Sequence, residues 1–278
     1  MHGATHPARD QGKSLHAGTA SCSTAATHSR KGTTMKIGII GTGAIGGTLA
    51  RALSTAGHDV LAANSRGPAA VPAEALETGA RAASLADVVQ GRDAVIVSVP
   101  FHRVPDLREA FASAADGTLV VDTANYYPHL NGPIDSVVRG QVESLWVAEQ
   151  LGRPVVKAWN AILAGTLQTK GLRPGDPDRI ALPVAADDAR ARETVMRLVD
   201  DTGFDAVDAG ALAESWRQQP GTPAYCTELA AEELEQALAD ADRAEAPRTR
   251  DHLIANFSTL ASMPTLDEVV GMNRSVHR

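Results

Sequence analysis

The apolar run Lys36-Ile37-Gly38-Ile39-Ile40 leads straight into Gly41-Thr42-Gly43-Ala44-Ile45-Gly46, and beyond it Ile45, Leu49, Ala52, Leu53 and Ala56 recur at helical spacing. A G-x-G-x-x-G spacing alone carries little weight in a chain with 24 glycines in 278 residues. Its setting is what constrains the fold. A strand precedes it, an amphipathic helix over Ala44–Ala56 follows, and a second strand ends about 20 residues further on, which is the arrangement of a dinucleotide-binding turn. In that arrangement Gly41 permits the tight turn, Gly43 lets the backbone approach a pyrophosphate, and Gly46 lets the helix pack closely on the sheet. The N–H groups of Thr42, Ala44 and Ile45 would face the phosphates at the positive end of the helix dipole.

The end of the second strand, Asp59–Ala63, decides which dinucleotide is expected. An NAD site carries Asp or Glu there to bond the ribose 2′-hydroxyl. This chain instead reads Asn64-Ser65-Arg66-Gly67-Pro68. A serine hydroxyl and a planar guanidinium suit a 2′-phosphate, so the expected cofactor is NADP(H), held by Asn64, Ser65 and Arg66. An ordinary polar loop with NAD as cofactor is the alternative.

Short apolar runs then alternate with amphipathic stretches, the pattern of a parallel sheet covered by helices. The spacing predicts a helix over Pro68–Glu77, strands over Arg81–Ala83, Asp93–Val99 and Gly117–Asp122, and a helix over Arg103–Ala114. It also predicts a helix over Ile134–Gln150 and a strand over Pro154–Trp159 that extends the same sheet. Beyond Gly152 come a strand over Arg179–Val184, a helix over Asp188–Asp201, a strand over Asp205–Asp208, and helices over Tyr225–Ala244 and Asp251–Ser262. The fold class is α/β, a Rossmann-type doubly wound parallel sheet with a smaller C-terminal α/β domain and a helical tail. The expected divisions are a disordered leader at 1–34, an NADP-binding domain at 35–152, and an acceptor or dimerisation region at 153–278. The leader is polar and lacks both hydrophobic periodicity and the apolar core of a secretory signal, and Met35 offers a second start.

Composition excludes several function classes. The formal charge is −7 and the cations are scattered, which leaves no footprint for nucleic acid or an anionic membrane. No run approaches the length of a membrane span. Cys22 and Cys226 stand far apart, which argues against a disulfide framework and fits a reducing cytoplasm. His2, His6, His16 and His28 are irregularly spaced without carboxylates, so no metal site is expected. The tail from Tyr225 offers a surface for a homodimer, although periodicity does not separate a dimer face from a domain core.

Ligands in such sheets sit beyond the carboxyl ends of the strands. There Val99, Pro100 and Ala158 would press a nicotinamide ring into a reactive pose. His102 and Asp122 invite acid–base roles, but a helix cap and a loop-ordering carboxylate are the plainer readings. Lys157 shares its side of the strand with Trp159, and nothing in the sequence shows which side faces a cleft. The segment Glu214–Pro223 concentrates Trp216 and Arg217 with two amides, which suits a planar anionic substrate or an interdomain or dimer contact equally well.

Four segments carry a family resemblance: Ile39-Ile40-Gly41-Thr42-Gly43-Ala44-Ile45-Gly46, the pair Ser65-Arg66, Val155-Val156-Lys157-Ala158-Trp159-Asn160-Ala161-Ile162, and Ala206-Val207-Asp208-Ala209-Gly210. From Met35 to about Thr222 the chain resembles the NADPH-dependent reductases of the deazaflavin coenzyme F420. The resemblance implies that Thr42 to Ile45 contact the diphosphate, Ser65 and Arg66 the 2′-phosphate, and Pro100, Ala124 and Ala158 the nicotinamide region. It also implies direct hydride transfer between the nicotinamide and a stacked deazaflavin ring, with no dedicated acid or base; the expected acceptor is F420 or a flavin-like ring. Asn160, Trp216 and Arg217 are the candidate substrate contacts. This chain departs from the family in the polar Trp216–Gly221 stretch, where an apolar helix lining the deazaflavin pocket is usual. Two alternatives stay open: reduction of a small carbonyl, hydroxy acid or imine, and a non-catalytic NADPH-sensing module.

Overall fold

The computed structural model describes Met1 and residues 33–260 and 262–277. The leader, Cys22 and the four N-terminal histidines lie outside these residues. The chain divides into Met1–Thr33 and a compact unit Thr34–Arg278, and every element named below belongs to the second.

Its centre is a parallel sheet of β1 (Lys36–Ile40), β2 (Asp59–Ala63), β3 (Arg81–Ala82), β4 (Ala94–Val97), β5 (Leu119–Asp122) and β6 (Val156–Lys157). The strand order is β3-β2-β1-β4-β5-β6, a doubly wound order that reverses between β1 and β4 and so opens a crevice there. Helices α1 (Ala44–Thr55), α2 (Leu85–Val89), α3 (Arg108–Ala112), α4 (Pro128–Asn131), α5 (Asp135–Val138) and α6 (Glu143–Leu151) connect these strands. After α7 (Ala164–Thr169), β7 (Ala181–Val184) pairs in parallel with β8 (Asp205–Asp208) across α8 (Ala189–Asp201). Three helices follow: α9 (Ala231–Ala239), α10 (Ala246–Ser258) and α11 (Leu266–Ser275).

Strand alternation divides the core. Ile37, Ile39, Leu49 and Ile96 pack on one face with Trp159, Leu182, Val195 and Phe204, so side chains from both sides of Gly152 share one core. Ile40, Val95, Val97, Phe101, Tyr126 and Trp146 fill the other face.

Proline and glycine account for most departures from the sequence pattern. The helix expected over Pro68–Glu77 is two 3-10 turns, Pro68–Ala70 and Ala73–Leu76, because Pro72 forces Val71 into extended backbone. Pro105 cannot donate, so Arg103–Ala114 begins as a 3-10 helix over Phe101–Leu107 and is α-helical only in α3. Gly140, at φ 98°, separates α5 from α6 where one helix was expected. The strand expected over Pro154–Trp159 pairs only at Val156 and Lys157, and Trp159 leaves it with φ 53°. Positive φ at Cys226 and Glu228 delays the tail helix from Tyr225 to Ala231. The polar Trp216–Gly221 stretch is no open loop. Leu212–Gln218 form a 3-10 helix that buries Ser215, Trp216 and Gln218.

Candidate functional site

The glycine loop lies at the topological switch point, and each glycine meets a different constraint. Gly41 has φ 97°, and a Cβ there would stand 2.1 Å from the Ser98 carbonyl oxygen. A Cβ on Gly46 would stand 2.0 Å from the Gly41 carbonyl oxygen, so α1 approaches the loop as closely as backbone allows. At Gly43 a Cβ would meet nothing within 4 Å, which leaves the face of the loop open to a ligand. Gly43 is also the N-cap of α1, with no side-chain cap and no acid in the first turn. The N–H groups that a helix start leaves without intrahelical partners therefore stay available to an anion.

Around this loop opens a cleft of about 590 Å³, lined by Gly41, Thr42 and Gly43, by Asn64, Ser65 and Pro68, and by Ser98, Val99 and Pro100. Asn64 ties the two rims together: its Nδ2 donates to Thr42 Oγ1 at 2.9 Å, and its Oδ1 accepts the Arg66 N–H at 3.1 Å. No acid stands at the end of β2. Ser65 and Arg66 are exposed there, and among the described residues the Arg66 side chain makes no ion pair. These features fit a 2′-phosphorylated dinucleotide. Ala44 and Ile45 continue the loop into α1, while Gly46 is buried in the packing of that helix.

The cleft wall also includes Ser84, Arg103 and Asp106, which sequence reasoning passed over. Arg103 donates to Asp106 at 2.5 Å. The signal was present in Pro100 and Pro105, which place a tight turn where a regular helix was expected and swing Arg103 to the rim.

Ala124 and Ala158 are buried, at 6% and 0% exposure, and neither lines the cleft. The buried charges of the loop after β5 explain this. Lys157 Nζ pairs with Asp122 Oδ2 at 2.9 Å, both side chains wholly buried, and also donates to the Ala124 carbonyl. Asp122 accepts the Ala124 N–H at 2.9 Å and the Ser144 hydroxyl at 3.0 Å. Glu143, only 3% exposed, accepts the Tyr126 N–H at 3.0 Å. Burial pushes its carboxyl up to about 7, against the opposing pull of Lys157. Asp122 and Lys157 thus order a loop.

The substrate candidates sit elsewhere. Asn160 is 2% exposed, donates to Asn125 at 3.0 Å and to the Gln218 carbonyl at 2.7 Å, and accepts from Gln218 Nε2 at 2.8 Å. Its amide is engaged within the protein. Trp216 is covered by the Arg217 guanidinium at 4.5 Å, and Arg217 bonds Glu214 at 3.0 Å and the Leu238 carbonyl at 3.1 Å. His102 is exposed, its ring against Asn131 at 3.2 Å. Among the described residues no three His, Cys, Asp or Glu side chains gather as a metal site. No described helix is long and apolar enough to cross a membrane.

Residues 36–126, from β1 through the loop after β5, match the family model described as NADP oxidoreductase, coenzyme F420-dependent. A hypothetical protein of Sinorhizobium meliloti of known structure is 31% identical, with a TM-score of 0.60 over 70% of this chain and 95% of that one. The chain belongs to this oxidoreductase family. It is an NADP-dependent oxidoreductase, and the acceptor is the part that family membership leaves open. The Escherichia coli protein YjhV is 41% identical over 103 residues, 37% of this chain and 75% of YjhV. A protein of Arthrobacter sp. FB24, whose assignment as an F420-dependent NADP-reductase is itself an inference, is 26% identical with a TM-score of 0.51, over 65% of this chain and 87% of that one.

Proposed function

We propose that the chain passes a hydride between NADPH and a deazaflavin such as F420, or a flavin-like ring. The observation that carries this is the pairing of an NADP-suited cleft, with no acid at the end of β2, with the complete burial of Asp122 and Lys157. Reduction of a small carbonyl or imine needs a proton donor at the ring, whereas transfer between two stacked rings needs alignment and exclusion of water. When bound, NADPH supplies the hydride. Thr42, Gly43, Ala44 and Ile45 would hold its diphosphate and Ser65 with Arg66 its 2′-phosphate. Val99 and Pro100 give an apolar wall, and the loop at Ala124 and the β6 end at Ala158 back it. Family membership and the Arthrobacter relative support the acceptor class.

In the same reading residues 35–152 bind the cofactor and 153–278 serve the acceptor and a homodimer contact, in a cytoplasm whose reducing conditions suit the free, buried Cys226. The test has two arms. Titration of NADPH and NADH should show preference for NADPH, reduced roughly tenfold or more in Ser65→Ala/Arg66→Ala through lost charge-assisted bonds. NADPH absorbance should fall on adding F420, FMN or riboflavin. Preference for NADH refutes the cofactor assignment, and tight NADPH binding with no turnover on the whole panel refutes the reductase.

A further inference from the structure

A second cavity lies apart from the cofactor cleft and shares none of its lining residues. It measures about 380 Å³ and is lined by Tyr126, the Val137–Glu143 turn between α5 and α6, Trp216 with Gln219, and Arg243 and Arg250. Three parts of the chain distant in sequence thus line one space.

Its polar groups are incompletely used. Gln219 Nε2 is buried and has no hydrogen-bond partner among the described residues. Leaving such a donor unpaired is unfavourable, and a ligand acceptor would satisfy it. The Arg250 side chain is 12% exposed, and among the described residues its ion pair is with Asp251 at 2.8 Å, which also lines the cavity and is itself 63% exposed to solvent. Glu143 lines the cavity with one oxygen held by the Tyr126 N–H. Trp216, Pro220, Val137 and Val142 add flat or apolar wall.

We infer that this cavity binds a small organic carboxylate, its anionic end on the Arg250 guanidinium and the Gln219 amide and its apolar body against Trp216. A planar guanidinium pairs with carboxylate through parallel bonds, and the buried amide adds a neutral donor beside it. Burial raises the Glu143 carboxyl to about 7, so it is protonated in mildly acid solution and does not oppose an anion there. The charges that act on Glu143 are Lys157 on β6, Asp122 on β5 and Arg250 on α10. Carboxylate affinity therefore falls as pH rises from 6 to 8. The inference concerns a site beyond the proposed hydride transfer and does not depend on the acceptor.

Calorimetric titration of the full chain with benzoate, phenylacetate, salicylate and succinate tests it, with benzamide as the uncharged control. At least one carboxylate should bind saturably and benzamide should not. Arg250→Ala should weaken binding at least roughly tenfold, about 1.4 kcal/mol, with part of it restored in Arg250→Lys. Gln219→Ala, which alters this cavity and not the neighbouring apolar one at Tyr225, should also weaken it. Retained NADPH binding shows that each variant is folded. Absence of saturable binding across the panel overturns the inference, as does affinity unchanged in Arg250→Ala or in Gln219→Ala, or equal affinity for benzamide.

Discussion

Glu143→Gln should make the protein more stable at pH 8 while leaving it little changed at pH 4.5. Glu143 is 3% exposed, and burial lifts its carboxyl from the ordinary 4.5 to about 7. Each tenfold in that equilibrium corresponds to about 1.4 kcal/mol, so the ionised side chain costs the folded state about 3 kcal/mol. Below pH 4.5 both folded and unfolded chains hold the proton and there is no cost. Between pH 4.5 and 7 the unfolded chain releases it and the folded chain keeps it, so stability declines with rising pH and the full cost applies above 7. Glutamine keeps an oxygen for the Tyr126 N–H, bonded at 3.0 Å in the native loop, and never ionises. Urea unfolding of both proteins from pH 4.5 to 8.5 measures the gap, which should grow from near zero to about 3 kcal/mol. At roughly 2–4 °C per kcal/mol, the melting temperature at pH 8 should rise by about 10 °C. A gap that stays flat with pH, or a variant weaker than the parent at pH 8, would show that Lys157 and Arg250 stabilise the ionised form, and the reasoning fails.

Three further expectations concern the loop and the buried pair. Gly46→Ala puts a Cβ 2.0 Å from the Gly41 carbonyl oxygen, so thermal unfolding should show a loss of about 1–3 kcal/mol. Gly43→Ala adds a Cβ to open space at φ −73°, so its stability should stay within about 0.5 kcal/mol while NADPH titration shows weakened binding. Unchanged NADPH affinity would remove Gly43 from the phosphate contact. Lys157→Met leaves the Asp122 carboxylate buried without its cation, and denaturant unfolding should report a loss of about 3–5 kcal/mol. A loss under 1 kcal/mol would mean that the pair is not what holds the loop.

The cofactor half was legible because its determinants are local. A strand, three glycines and a helix start are consecutive residues, and the absence of acid at the end of β2 is a matter of reading Asn64-Ser65-Arg66 in place. The prolines that break Pro68–Glu77 and Arg103–Ala114 were equally visible, and weighting Pro72 and Pro105 more heavily would have given the observed turns. The helix Leu266–Ser275 had a signal too. Thr265 and Glu268 form a capping box at its start, with the Glu268 N–H donating to Thr265 Oγ1 at 3.3 Å. The surroundings of Trp216 were not legible, since its partner Arg243 and the cavity wall from α10 come from residues distant in sequence.

Asp122 and Lys157 show why residue type at a strand end is an ambiguous guide to chemistry. Both stand where catalytic groups of such sheets are found, and both carry charges able to move protons. Pairing across β5 and β6 turns them toward each other, and the loop they flank consumes their hydrogen-bonding capacity. Asp122 takes the Ala124 N–H, Lys157 the Ala124 carbonyl, and Glu143 the Tyr126 N–H. The buried side chains of Asp122, Lys157 and Glu143 thus hold the backbone of Ala124 and Tyr126 in the loop after β5. Under the proposed function, a loop fixed before the cofactor arrives would spare the ordering cost at binding and support the apolar residues Val99 and Pro100 during transfer. Charge at this site acts through rigidity, which is the contribution the proposed ring-to-ring hydride transfer would require of the protein.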